Sequence, residues 1–174
     1  QVVVGVVTVA VPELEMGQGI TTLIPQIVAQ ELGADWRQVA VEPAPVSGAY
    51  ANAPLAARWS ALWLPLLSGL ADEPDDLLAR RFAEGEPFTA TADGTSLIAH
   101  EAAARAAAAS ARAMLAQAAA DRWGVAWEEC DAVDGHIVHA KRRLPFAQLV
   151  EEAAGFDAPD PPVLRPRPPG ENPA

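Results

Sequence analysis

Hydrophobic and polar positions divide the chain into a few readable stretches. Residues 2–11 are β-branched almost throughout, which predicts a strand, or a hairpin broken at Gly5. The near-continuous hydrophobicity of this run suggests burial on both faces. After Pro12 and the polar stretch to Gly19, Leu23, Ile24, Ile27, Val28 and Leu32 recur at helical spacing. Thr21 or Thr22 is the expected cap, Pro25 falls in the first turn, and Gly33 closes the helix. Trp36 to Glu42 alternates loosely and reads as a second strand, for which a parallel pairing with the first is allowed.

Residues 97–123 carry the strongest helical signal: alanine dominates, Gly and Pro are absent, Thr95 or Ser96 offers a cap and Gly124 a stop. At about 1.5 Å per residue this makes roughly 40 Å of helix. A hairpin is expected over 130–140, turning at Asp134-Gly135, and a short helical pattern over 145–154. Residues 44–93 are less legible: Leu55 to Leu67 suits a short helix limited by Pro65, and Asp72, Glu73, Asp75 and Asp76 make an acidic, solvated loop. From Asp157 proline dominates, which predicts a linker or an extended surface strap over 157–174. The fold class expected is α+β: a small mixed sheet packed by two main helices as a two-layer sandwich, with a Pro-rich tail.

Charge narrows the partners. A formal net charge of −11 disfavours non-specific binding to nucleic acid or to anionic lipid. No apolar run is long enough for a membrane span. One cysteine, Cys130, excludes an internal disulfide framework and reads as a buried structural thiol. The chain begins at Gln1 without a Met or signal peptide, and reads as an excerpt of something longer, so the compartment stays open.

Two glycine turns are the candidate chemistry. Gly17-Gln18-Gly19 feeds a helix whose first N–H groups carry partial positive charge, a recipe for holding a phosphate or another anion. Gly94-Thr95-Ser96 does the same at the start of the alanine helix, although Asp93 would compete with an anion there. Together they could hold the two ends of a diphosphate; plain helix capping is the alternative at each. His136 and His139, three apart on a strand, point to opposite faces, and His100 reads as a surface or packing residue. Glu13 and Glu15 read as solvated or capping carboxylates, with a general-base role conceivable.

Glu15-Met16-Gly17-Gln18-Gly19, followed by Thr21, Pro25 to Ala29 and Glu31 to Trp36, then Val39 to Pro45 and Tyr50-Ala51-Asn52, resembles the molybdopterin-binding subunit of the xanthine dehydrogenase/aldehyde oxidase family, in its isoquinoline 1-oxidoreductase branch. Gly94-Thr95-Ser96, Ala118 to Val125 and Gly135 to His139 extend the resemblance. It implies a molybdopterin-type domain over 1–156, with 55–92 a poorly matched insertion. It also implies oxidative hydroxylation of aldehydes or N-heteroaromatics, with oxygen from water and electrons passed from molybdenum to iron–sulfur clusters on a partner subunit. The implied cofactor is molybdopterin cytosine dinucleotide. By motif, Gly17, Gln18 and Gly19 would lie against it, with Gly94, Thr95 and Ser96 near its phosphates. The implied partners are the rest of the subunit, the iron–sulfur subunit and a small-molecule substrate. Nothing matches the family's active-site glutamate motif, so this stretch is not expected to turn over alone. A second Gly-Gln-Gly copy is usual in the branch, which leaves another reading open: a non-catalytic scaffold with an empty turn and an apolar docking face at 55–67.

Overall fold

A computed structural model describes residues 2, 3 and 5–166. It is α+β, with six α-helices and two three-stranded sheets among the described residues. The chain forms two compact units. One comprises the described residues within 1–9, 24–42 and 103–166; the other comprises 10–23 and 43–102.

The first sheet is mixed. Strands β1 (Val2–Val3) and β2 (Val6–Val11) form an antiparallel hairpin around Gly5, and β3 (Val39–Pro43) lies beside β2 on its other side as the parallel neighbour. The hydrophobic run does not signal two buried faces. Val7, Val9 and Val11 are buried, while Val6 and Ala10 are exposed, so β2 alternates as a one-sided strand. Its outward valine is β-branched and chosen for the strand rather than for the core.

Helix α1 (Ile20–Leu32) begins earlier than its threonines suggest. The Gly19 carbonyl accepts the Leu23 amide at 2.8 Å, so Gly19 is the cap and Pro25 sits in the second turn, fully buried. The helix stops at Gly33, where two demands coincide. Its φ is +77°, and an added Cβ would stand 2.2 Å from the Ala132 carbonyl oxygen. That close approach lays the helix end on the second sheet, made of β4 (Asp131–Val133), β5 (His136–His139) and β6 (Arg142–Pro145), all antiparallel. Asp134 and Gly135, both at positive φ, make the expected turn. The third strand was not expected from the pattern; Ala140, at φ +53°, and Lys141 provide its turn.

In the first unit the alanine helix α5 (Ser96–Trp123) buries Ala109, Ala113, Ala116 and Ala120 on one stripe, beside Leu115. The short helix α6 (Val150–Ala153) and the turn before it bury Phe146 and Leu149. Glu31, 3% exposed, is the polar centre of this unit. It accepts from Arg105 at 3.0 Å, from Arg112 at 3.1 Å and from the Arg165 amide at 2.7 Å. Arg112 also donates to the Val163 carbonyl, and Arg105 to the Arg165 carbonyl. The described part of the Pro-rich tail is therefore held as a strap. Burial, and then the neighbouring Arg165, lower the Arg112 pKa.

The second unit is helical, with α2 (Ala53–Arg58), α3 (Ser60–Trp63), α4 (Leu77–Gly85) and the start of α5. Leu55, Ala56, Ala57, Ala71, Ala79 and Ala83 form its buried centre. Trp63 stacks on Phe82 with centroids 4.1 Å apart, and Phe88 meets both Phe82 and Trp59. Outside this core Leu62, Leu66 and Leu67 are exposed.

Candidate functional site

Both candidate turns belong to the second unit, and a set of polar side chains joins them. The loop from Pro12 to Gly19 turns back on itself because glycine allows φ of +95° at Gly17 and +81° at Gly19. This geometry points the Gly17 and Gly19 amides to one spot, and that spot holds the carboxylate of Glu15. Glu15 Oε1 accepts from the Gly17 amide at 2.7 Å and from the Gly19 amide at 2.9 Å. Its Oε2 accepts from the Thr21 amide at 3.2 Å and the Thr21 hydroxyl at 3.0 Å. The Gly19 amide, followed by the Thr21 and Gly17 donors, holds the Glu15 carboxyl below the usual carboxylate range against a smaller opposing effect of desolvation. Glu15 therefore does what an anion does at the start of a helix.

Gln18 is committed in the same way. Its Nε2 donates to the Leu14 carbonyl at 2.8 Å, and its Oε1 accepts from the Met16 amide at 2.6 Å. As arranged, the turn does not fit a phosphate-bearing group: the Gly17 and Gly19 donors already face a carboxylate, which would repel a second negative charge.

The second turn is built differently. Asp93 and Gly94 adopt left-handed conformations, at φ +53° and +68°. The Asp93 carboxylate accepts from the Trp59 indole at 2.7 Å, and the Asp93 carbonyl accepts from Arg58 at 2.7 Å. Thr95 is fully buried; its carbonyl accepts the Ala99 amide and starts α5. Its hydroxyl donates to the Ala92 carbonyl at 2.9 Å and accepts from Asn52 at 2.9 Å. Ser96 is buried too, and its hydroxyl has no hydrogen-bond partner among the described residues.

Residues given little weight by the sequence pattern occupy the centre. Asn52 is fully buried, and its Oδ1 caps α2 by accepting the Leu55 amide at 3.0 Å. Its Nδ2 lies 2.9 Å from Glu13 Oε1 as well as from Thr95, and 3.1 Å from the Ala90 carbonyl. Glu13, whose side chain is fully buried, meets His100 Nε2 at 2.9 Å and accepts from the Thr91 hydroxyl at 3.3 Å. Thr91 also reaches the Leu14 carbonyl, the acceptor of Gln18. Glu13 and His100 are thus not surface residues: they cross-brace the Gly-Gln-Gly loop, the start of α2 and the 90–96 turn. The available signals were Asn52 ahead of Ala53-Pro54, a cap followed by proline, and His100 one helical turn after Ser96.

The remaining candidates lie in the first unit. His139 pairs with Glu129 at 3.2 Å, and His136 contacts the Asp134 carbonyl and Arg143. Cys130 is half-buried rather than buried; desolvation, and then Glu129, raise its thiol pKa. Among the described residues no group of three or more His, Cys, Asp or Glu is arranged to hold a metal ion. No helix there is long and apolar enough to cross a membrane.

Comparison with known proteins adds one finding. A protein of Brevundimonas diminuta named isoquinoline 1-oxidoreductase subunit beta is 32% identical over 148 residues, which is 84% of this chain. The two are distant homologues over that stretch. The chain spans 15% of the length of that oxidoreductase subunit. No family model matches the chain.

Proposed function

We propose that this chain is a segment of the large subunit of a molybdenum hydroxylase of the isoquinoline 1-oxidoreductase type, and that its part there is structural. The enzyme would hydroxylate N-heteroaromatics or aldehydes. A molybdopterin cofactor, in its cytosine dinucleotide form, supplies the redox chemistry when bound. In this reading the remainder of the subunit holds that cofactor, and an iron–sulfur partner subunit takes the electrons. The segment contributes a loop cluster braced by Glu13, Asn52, Thr95 and His100.

One observation carries the choice of scaffold over cofactor grip: the Glu15 carboxylate accepts the Gly17 and Gly19 amides. Anion binding at a helix start requires donors that lack internal acceptors. The test is Gln18→Ala in the full-length subunit, assembled with its iron–sulfur partner. Molybdenum and cytosine nucleotide per purified complex should match the parent enzyme. A fall to a small fraction of the parent's content, with assembly intact, would overturn the scaffold reading and restore Gln18 as a cofactor contact.

A further inference from the structure

The second unit carries a stretch that is apolar on both of its sides. Residues 59–71 contain no charged side chain. Consecutive tight turns shape them. Helix α3 closes where the Leu64 amide donates to the Ser60 carbonyl, and the Leu67 and Leu70 amides then donate to the Leu64 and Leu67 carbonyls. Inward, Trp63 and Leu64 pack on the buried centre of Ala57, Ala71 and Ala79, and the Trp63 indole donates to the Ala56 carbonyl at 2.8 Å. Outward stand Leu62 (76% exposed), Leu66 (94%), Leu67 (56%) and Leu70 (57%). This outward face is narrower than residues 55–67, because Leu55, Ala56 and Ala57 belong to the unit's own core.

The unit's own packing does not call for these four leucines, since Trp63, Leu64 and Ala71 already anchor the stretch. A segment apolar all round belongs in an interior, and a run of exposed leucines marks an interaction face. Its chemistry selects the occupant. Transient partners meet faces about as polar as the rest of a surface, whereas permanent interfaces are the apolar ones and resemble a core cut in two. The four leucines offer no charge to steer a partner arriving from solution. A partner on the same chain needs no steering, because the connection itself keeps it at high local concentration. The distant homologue has the length to supply one: this chain spans 15% of it.

We propose that Leu62, Leu66, Leu67 and Leu70 form an internal seam, on which another part of the same polypeptide packs. This rests on the reading of the chain as a segment of a longer subunit. The occupant presents aliphatic or aromatic side chains and brings no charge to the seam, because a charge there loses its water without gaining a partner.

The test is carbene footprinting with a photoactivated aryl-diazirine carboxylate, read by tandem mass spectrometry at the four leucines. The full-length subunit is labelled alone and again when assembled with its iron–sulfur partner, with the urea-unfolded protein as the fully accessible reference. Labelling in the subunit alone should lie at least about fivefold below that reference, as for side chains packed at interior density. It should not change on roughly tenfold dilution or on adding the partner subunit. Labelling close to the reference in both samples overturns the proposal, since the face is then open to water. Protection that appears only with the iron–sulfur subunit, or that is lost on dilution, also overturns it, because the occupant is then a separate chain or a second copy. Molybdenum and cytosine nucleotide measured on the same samples report on the enzyme reading separately. Protected leucines in a complex that lacks both support the seam and fault that reading; labelled leucines in a loaded complex do the reverse.

Discussion

The two glycine turns share a position, each opening a helix, yet they neutralise their polar groups in opposite ways. At Gly17-Gln18-Gly19 the backbone donors point inward to a carboxylate two residues upstream. At Asp93-Gly94-Thr95 the carboxylate is the group in need of a donor, and an indole 34 residues away supplies it. The first turn is closed by its neighbours in sequence and the second by its neighbours in space. A glycine pair before a helix becomes an anion site only where the donors it exposes find no acceptor in their own chain.

Asn52 is where this contrast can be broken most severely. It reaches the second turn through Thr95 and the first loop through Glu13, and it caps α2. Asn52→Ala leaves a buried carboxylate, a buried hydroxyl and a helix-start amide each one partner short. The cost should be about 3 kcal/mol or more, combining a lost cap with unsatisfied buried groups. Urea denaturation measures it, and a loss below about 1 kcal/mol would mean that Asn52 does not link the turns.

Trp59→Phe probes the second turn alone. It removes the indole donor to Asp93 and retains a ring beside Phe88. The expected destabilisation is smaller, about 1 kcal/mol, the net worth of one hydrogen bond. The first turn should not respond, so the Gly17 and Gly19 amide shifts should stay where they are. Movement of those shifts would show the two closures to be one.

The regular part of the fold was legible because it is local. Gly124 ends α5, Gly33 ends α1 and Asp134-Gly135 turns the hairpin, each a position where backbone conformation dictates the residue. The start of α1 was misplaced because Thr21, a good cap by type, has its amide and hydroxyl on Glu15 instead. The pattern over 2–11 overstated burial, since β-branching reports strand preference as much as core. The site was half legible. Its glycines stand out in any reading, but what fills the turn depends on the rotamer of Glu15. What braces it depends on Asn52, Thr91 and His100, which lie 39, 78 and 87 residues from Glu13. No local pattern brings such residues together. The proline-rich stretch reads equally as linker or strap from its own residues, and what holds 163–165 lies far from it in the chain. Glu31 decides it, drawing Arg105, Arg112 and Arg165 to one buried carboxylate.

The central claim is that Glu15 itself occupies the donors of the Gly-Gln-Gly turn. A carboxyl held below its ordinary pKa by the fold stabilises that fold at pH values above the ordinary one. The contribution is lost only as pH falls through the lowered value. The direct measurement is an NMR pH titration of the Glu15 side-chain carboxyl carbon, with the Gly17, Gly19 and Thr21 amide protons followed in the same samples and inorganic pyrophosphate added at neutral pH. The account predicts one shared midpoint below the usual glutamate range and no response of those amides to pyrophosphate. A Glu15 midpoint in the ordinary range, with Gly17 and Gly19 amides that shift saturably on adding pyrophosphate, would contradict it.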